Sequence, residues 1–314
     1  MALVSEFPEA LLEELRRVIV ERGIEHPVEG EEPDIFVPPA RVPAELAPLV
    51  GRNLSAPPLA VAVDVYGTLL ASAAGDIGPG AAVDKYLSVF PHDMAERLHS
   101  LVEEDHAAKR AQGVPWPEID SAALFSSALG LDYEDGARAA VAWECTTNRC
   151  SAMPGAMEFL VACEGRGILL GIVSNAQFYT PLFIEEAFES YLFGERRFSA
   201  RELFDTAPER PCLGFDPVLT LWSYKTGRAK PDRWMYDELV RRLAARGIPA
   251  NRILYVGNDA LNDCAAAGEA GLMTALFCGD ERSCKPRAGE PRVKANPPST
   301  LASSWDDLRR LACI

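Results

Sequence analysis

The apolar positions along the chain fall into five short runs that predict the core of the fold. These runs lie at residues 59–65, 168–173, 218–222, 253–256 and 272–277. Each run is too short for a helix and lacks the polar alternation of a half-exposed strand, which favours strands buried on both faces of a parallel sheet. Segments with apolar residues at helical spacing alternate with the later runs, at 154–166, 178–191, 232–246 and 260–270. This alternation predicts a doubly wound α/β sheet with right-handed crossovers.

The rest of the chain is predicted to form an N-terminal arm and a helical insertion. Residues 8–22 have an amphipathic helical pattern and precede a proline-rich stretch, so 1–57 is interpreted as a helix and an arm. Residues 71–152 contain helical patterns but no convincing buried strand. An insertion of this size predicts a helical cap over the carboxyl ends of the sheet, although helices packed on a sheet edge would give the same pattern. The core then comprises 58–70 and 153–314.

The composition is that of a globular protein, and the net charge limits its partners. Hydrophobic residues make up 48% of the chain and charged residues 25%, and the formal net charge is −15. An acidic surface repels phosphate backbones and anionic membranes, so neither nucleic acid nor membrane is an expected partner. No apolar run is long enough to span a bilayer, no signal peptide is evident, and the eight cysteines lack the spacing of a zinc site. We expect a cytoplasmic protein that acts on a small molecule; the oligomeric state is not predicted.

Polar side chains follow four of the predicted strands at their carboxyl ends. They are Asp64 with Gly67 and Thr68, then Ser174 and Asn175, then Lys230, and finally Asn258, Asp259, Asn262 and Asp263. Any one of these groups has an ordinary role as a helix cap or turn residue. Together, and presented by neighbouring parallel strands, they would converge on one pocket. A carboxylate can attack an electrophile, a hydroxyl and an ammonium can hold its negative charge, and paired aspartates can hold a hard cation.

The same stretches resemble, in order, the four motifs of the haloacid dehalogenase superfamily of hydrolases. "DVYGTL" resembles the first motif, "GIVSN" the second, "GRAKPD" the third and "VGNDALNDCAAAGEAG" the fourth, and together they span residues 58–280. The insertion at 71–152 falls where members with the first type of cap carry it. The resemblance implies a Rossmann-like core with an inserted cap, and it implies that Asp64 is the nucleophile of a covalent mechanism.

The resemblance also implies roles for the other residues. Thr68 would position the nucleophile, and Asp263 would support Lys230. The transferring group would be bound by Gly67, Ser174, Asn175 and Lys230, with Gln177 facing the substrate. In metal-dependent members the nucleophile, the backbone carbonyl two residues on and an acid of the fourth motif hold Mg²⁺. Here those groups are Asp64, the Tyr66 carbonyl and Asp259, and Asn258 stands at a second, commonly acidic position.

Two motifs point to different chemistries. Phosphatases of the superfamily carry a second aspartate, a general acid and base, where this chain has Tyr66, and dehalogenases carry a tyrosine there. A phenol with a pKa of about 10 is a poor base at neutral pH. The spacing of Asp259 and Asp263, by contrast, is one that metal-dependent phosphatases use. We expect a Mg²⁺-dependent phosphatase of a small phosphorylated metabolite; the alternatives are a metal-independent 2-haloacid dehalogenase and, less favoured, a non-catalytic binding protein.

Overall fold

A computed structural model describes residues 7–25, 35–74, 90–188 and 214–314. The last residues of the helix predicted at 178–191, parts of the proline-rich arm and the first part of the predicted cap lie outside these ranges. In chain order the strands are β1 Ala60–Val63, β2 Leu70–Ser72, β3 Cys150–Ala152, β4 Leu169–Ser174, β5 Phe215–Trp222, β6 Ile253–Gly257, β7 Met273–Phe277 and β8 Thr300–Ala302.

Six strands form one parallel sheet in the order β5-β4-β1-β6-β7-β8. Strand β1 lies between β4 and β6, so the chain order reverses there and the carboxyl ends of these strands diverge into a crevice. All four residues of β1 and all five of β6 are buried, as expected for strands covered on both faces. The predicted doubly wound sheet is confirmed. The third strand begins earlier than predicted, at Phe215, and the short edge strand β8 was not predicted.

The α-helices are α1 Glu9–Val18, α2 Met94–Ala111, α3 Ser121–Leu129, α4 Tyr133–Thr147, α5 Ala156–Gly165, α6 Thr180–Phe188, α7 Ser223–Thr226, α8 Trp234–Ala244, α9 Ala266–Glu269, α10 Pro291–Ala295 and α11 Trp305–Leu311. Two π-helical segments also occur: one continues α1 over Ile19–Gly23, and the other precedes α9 over Ala260–Ala265. None of the helices in the described residues is long and apolar enough to cross a membrane.

Helices α2, α3 and α4 form the described part of the insertion. Asp120 and Asp132 cap α3 and α4 by accepting hydrogen bonds from backbone N–H groups, and Gly130 ends α3 in the left-handed conformation. The chain enters and leaves this region through β2 and β3, which pair antiparallel. The boundaries predicted at 71 and 152 both fall in this two-stranded ribbon. The ribbon was missed because each of its strands has three residues, too few to show a pattern. The division into domains stays a prediction.

The N-terminal helix contacts both the insertion and the core. Its buried face includes Leu11 and Leu15. Arg16 forms ion pairs with two buried glutamates of α6, and Glu14 pairs with Arg138 of α4. Since α6 belongs to the core and α4 to the insertion, α1 links these two parts of the chain.

Candidate active site

The polar residues of the strand ends surround one small cavity at the carboxyl edge of the sheet. Its volume is about 30 Å³, and it is lined by Asp64, Tyr66, Asn175, Lys230, Asn258, Asp259, Asn262, Asp263 and Lys285. A cavity needs roughly 10–15 Å³ to hold one water molecule, so this one has room for about two. The sequence therefore predicted correctly that residues from distant parts of the chain meet at this edge.

Asp64 is placed by the hydrogen bonding of β1 and by the tight turn that follows it. Its backbone N–H donates to the carbonyl of Val256 on β6 at 2.9 Å, which keeps the residue in the sheet although β1 has ended. Gly67 has a φ of +74°, and a Cβ there would lie 2.4 Å from the side chains of Asn258 and Ser283. Only glycine fits this close approach between the first and fourth motifs. Close packing therefore accounts for a glycine at position 67, and the binding role of Gly67 stays a prediction.

Lys230 joins two carboxylates inside the site. Its Nζ lies 2.7 Å from Asp64 Oδ1, 2.7 Å from Asp263 Oδ1 and 3.3 Å from the hydroxyl of Tyr255. Its backbone N–H donates to Asn175 Oδ1 at 2.7 Å, so Asn175 positions the lysine. Burial lowers the pKa of Lys230, but the two carboxylates outweigh burial and raise that pKa above its ordinary value. The ammonium thus stays protonated and lies as a cation between the two carboxylates.

Asp263 is fully enclosed behind the lysine. Besides Lys230, it accepts the backbone N–H of Asp259 at 2.9 Å. Gly257 permits this packing, because a Cβ at that position would lie 2.4 Å from the Asp263 carboxyl group. Burial raises the pKa of Asp263 to about 7, while Lys230 opposes the rise. Asp263 is thus in direct contact with Lys230, and its predicted role in supporting the lysine stays a prediction.

Asp259 forms an ion pair with Arg287, a residue that the sequence analysis did not include in the site. Arg287 Nε lies 2.8 Å from Asp259 Oδ1 and Arg287 Nη2 lies 2.8 Å from Oδ2, which is a bidentate pair. The Oδ1 atom also accepts the N–H groups of Leu261 and Asn262 at 2.9 and 3.1 Å, because Asp259 caps the π-helical segment. Three N–H groups therefore lie on Oδ1 and Arg287 Nη2 lies on Oδ2, so both oxygens of Asp259 contact the guanidinium.

The donor set predicted for Mg²⁺ does not fit this arrangement. Both oxygens of Asp259 are already paired with the guanidinium of Arg287, and Asn258 contributes an uncharged amide whose Nδ2 donates to the carbonyl of Ser283. The carboxylate left from the predicted set is Asp64, and one of its oxygens is already 2.7 Å from Lys230. No group of three or more acidic, histidine or cysteine side chains in the described ranges is arranged to hold a metal ion. Mg²⁺ prefers charged oxygen ligands, so the predicted metal role of Asp259 is not supported.

Tyr66 lines the cavity but its hydroxyl is engaged elsewhere. The hydroxyl lies 3.0 Å from Thr180 Oγ1 at the start of α6, and the residue is buried. Burial, followed by the negative charge of Glu144, raises the pKa of Tyr66 well above its ordinary value. A phenol in this state is a poor proton donor or acceptor at neutral pH.

Three other predicted residues are buried but do not line the cavity in the described part of the chain. Thr68 Oγ1 is 3.5 Å from Asn258 Oδ1, and the Ser174 hydroxyl donates to the carbonyl of Asn175 at 3.1 Å. Gln177 contacts the insertion instead, because its Nε2 donates to Glu118 Oε1 at 3.0 Å. Their predicted roles in binding substrate therefore stay predictions.

The loop that carries Glu118 is the part of the insertion that comes nearest to the third motif. Pro117 pairs with Arg228 as an isolated bridge, and the N–H of Ala229 donates to the carbonyl of Trp116 at 2.8 Å. Burial raises the pKa of Glu118 to about 6. This contact ends one residue before Lys230, so the loop around Glu118 lies directly beside the third motif.

Sequence reasoning missed Lys285 and Arg287, although a signal for them existed. Both follow the fifth apolar run, and the carboxyl end of that strand lies at the same edge of the sheet as the others. They carry no recognisable motif, and only the order of strands could have indicated them.

Comparison with known proteins identifies the family. The family model of haloacid dehalogenase-like hydrolases matches residues 58–271, and a search of curated proteins found no match. Among solved structures, a dehalogenase with an intermediate complex is 18% identical, covering 82% of this chain and 98% of its own, with a TM-score of 0.48. A 2-haloacid dehalogenase from Pseudomonas syringae pv. Tomato DC3000 is 17% identical, with 81% and 97% covered and a TM-score of 0.49.

A phosphatase of the same superfamily, from Thermococcus onnurineus, is 16% identical, with 80% of this chain and 96% of its own covered and a TM-score of 0.44. Dehalogenases and a phosphatase thus both resemble the chain at low identity, and these resemblances do not distinguish between dehalogenase and phosphatase activity. The family match covers more than half of the chain and includes all four motifs. The chain belongs to the haloacid dehalogenase-like hydrolases.

Proposed function

We propose that this hydrolase works without a metal ion and displaces halide from a small 2-halo acid, with Asp64 as the nucleophile. The observation that carries the proposal is the state of Tyr66. It stands at the position where a general acid is expected, yet its hydroxyl is tied to Thr180 and its pKa is raised. Halide leaves carbon as a stable anion and needs no proton, whereas the alkoxide of a phosphate ester does.

The charges around the cavity support the same substrate class. Lys230 is shared by two carboxylates and Arg287 is paired with a third, so each cation already has a negative partner. A phosphate monoester would bring about two further negative charges next to Asp64, and a 2-halo acid would bring one.

The reaction has two steps in this proposal. In the first, an Asp64 oxygen attacks the carbon that carries the halogen, a C–O bond forms, and the C–halogen bond breaks with release of halide. In the second, water attacks the carbonyl carbon of the resulting ester. The bond between that carbon and the substrate oxygen then breaks, and the departing oxygen takes one proton of the attacking water, so that the hydroxy acid leaves. The second proton of the water passes to solvent, and the Asp64 carboxylate is restored.

A substrate panel tests the proposal. Short 2-chloro, 2-bromo and 2-fluoro acids and a set of phosphomonoesters would each be assayed with added Mg²⁺ and with chelator, with halide and phosphate as readouts. We expect halide release that the chelator does not change. Phosphate release that requires Mg²⁺, with no halide from any acid, would contradict the proposal and establish the phosphatase alternative.

An isotope experiment tests the covalent step separately. In a single turnover in H₂¹⁸O with enzyme in excess, the product hydroxyl should contain ordinary oxygen, because that atom comes from Asp64. The label should appear in the Asp64 peptide by mass spectrometry. Label in the product of the first turnover would mean direct attack by water and would overturn the role of Asp64.

A further inference from the structure

We propose that Arg287 is a built-in counter-ion that takes the place of a divalent cation, and that removing it would create a divalent cation site in this cavity. The inference concerns the cavity itself and does not depend on the leaving group of the reaction. It starts from Asp259, which lines the cavity and whose two carboxylate oxygens accept hydrogen bonds from Arg287 and from two backbone N–H groups. Only the guanidinium among these donors carries a charge.

The backbone holds Arg287 in this position. Lys285 pairs with the fourth motif in both directions: its N–H donates to the carbonyl of Asn258 at 2.8 Å, and its carbonyl accepts the N–H of Ala260 at 2.9 Å. Two residues later Arg287 adopts a φ of +42°, in the left-handed region. These backbone hydrogen bonds hold the loop after β7 against the residues on both sides of Asp259. They therefore place the guanidinium of Arg287 next to the Asp259 carboxylate.

A guanidinium and a divalent cation compete for the same carboxylate. The Asp259 side chain is 7% exposed, so its charge needs a partner in the protein. Arginine remains charged at all accessible pH values and its planar fork uses both carboxylate oxygens at once. While the fork is in place a metal ion could bind Asp259 only by breaking two charged hydrogen bonds.

The groups that would hold a cation in the absence of Arg287 already line the cavity. They belong to Asp64, Asp259 and Asn258, which supply two carboxylates and one amide. Two carboxylates and a neutral oxygen, completed by water, form a donor set that Mg²⁺ and Mn²⁺ accept. The sequence prediction of a metal site thus identified a donor set of a suitable kind. In the wild type, Arg287 pairs with one of its two carboxylates, Asp259.

Arg287→Gly is the variant of choice because glycine adopts the left-handed backbone without strain. Arg287→Asn is a second variant, since asparagine also tolerates this region. The matched control is Arg241→Ala, which removes an arginine that is 69% exposed on α8 and pairs with Glu238. The double variant Arg287→Gly, Asp259→Asn removes the carboxylate that the new site needs.

The measurement is binding of Mn²⁺ to each purified protein, followed by the electron paramagnetic resonance signal of the free ion, with Mg²⁺ calorimetry as a second readout. We expect wild type and Arg241→Ala to bind no ion stoichiometrically. Arg287→Gly should bind one Mn²⁺ at least about tenfold more tightly than wild type, since site charge sets affinity for such ions. The double variant should lose this gain.

Three results would overturn the proposal. Stoichiometric binding by wild type would show that Arg287 does not exclude the ion. A folded Arg287→Gly protein with no gain in affinity would show that the remaining donors do not form a site. Failure of both the glycine and the asparagine variant to fold, with or without added Mn²⁺, would also overturn it, because the arginine would then be a structural requirement that a divalent cation cannot replace.

Discussion

Two groups of buried residues near Tyr66 contain carboxylates that are stabilised in different ways: the first cluster is Asp64, Asp263 and Lys230, and the second is Glu144 with Asn148 and Tyr179. At the catalytic edge Asp64 and Asp263 share the ammonium of Lys230 at 2.7 Å. At the end of α4, Glu144 accepts hydrogen bonds from Asn148 at 2.8 Å and Tyr179 at 3.2 Å. Both of these hydrogen-bond donors are neutral side chains.

The comparison shows what a cation adds to a buried acid. Burial raises the pKa of Asp263 to about 7 and that of Glu144 also to about 7. At Asp263 the rise includes repulsion from two other carboxylates and is opposed by Lys230, whereas at Glu144 only neutral donors oppose it. Removing a charge should therefore be harmful in the first cluster and favourable in the second.

Asp64→Asn should have the largest effect on activity. The amide cannot form the covalent ester, so we expect turnover to fall by roughly 10⁴-fold or more, as is found for lost nucleophiles. The melting temperature should change little, because Lys230 keeps Asp263 as a partner. Halide release and thermal melting would be measured side by side. Substantial remaining activity in a folded Asp64→Asn protein would refute the covalent mechanism.

Lys230→Met should damage both activity and folding. It leaves two buried carboxylates without their cation, and breaking a buried pair in this way costs about 3–5 kcal/mol. The free energy of unfolding from urea titration is the readout. Lys294→Met, at an exposed lysine of α10, is the matched control and should stay within about 0.5 kcal/mol of wild type. An equal, small change in both variants would mean that the ammonium does not stabilise the cluster.

Glu144→Gln should act in the opposite direction and should depend on pH. The pKa of Glu144 is raised from 4.5 to about 7 in the folded state by burial, so the folded protein binds the proton more tightly than the unfolded chain. The contribution is complete below pH 4.5 and is lost as pH rises to about 7, which removes up to about 3 kcal/mol of stability. Glutamine avoids this loss, so the variant should be more stable than wild type at pH 8.

The control for this prediction is pH itself. Glutamine can accept from Asn148 through its oxygen and donate to the Tyr179 hydroxyl through its nitrogen, so the hydrogen bonds are kept. Near pH 4 the two proteins should have similar unfolding free energies in urea. A difference that is the same at pH 4 and pH 8 would show that the charge of Glu144 is not its origin.

The sequence predicted the first cluster and not the second, for physical reasons. Buried parallel strands end at one edge, so the position of Asp64 and Lys230 follows from the apolar runs and the order of the motifs. Glu144 belongs to a helical pattern whose partners are 4 and 35 residues away, and no periodicity reveals a buried acid on such a helix. Arg287 was missed because backbone pairing between two loops places it beside Asp259, and loop sequences have no hydrophobic periodicity that would predict such pairing.

Tyr66→Phe should have the smallest effect, and it tests whether the two clusters are chemically connected. Its hydroxyl lies at Thr180 and its pKa is raised by burial and by Glu144, so it should transfer no proton in catalysis. We expect turnover to change by less than about tenfold, whereas loss of a true general acid costs roughly 10²–10⁴-fold. Stability should fall by about 1 kcal/mol for the lost buried hydrogen bond.

Tyr224→Phe is the matched control, because that buried hydroxyl has no hydrogen-bond partner among the described residues, and it should leave both quantities unchanged. If turnover falls a hundredfold or more in Tyr66→Phe but not in Tyr224→Phe, Tyr66 is the general acid, and hydrolysis of a phosphate ester becomes the favoured reaction.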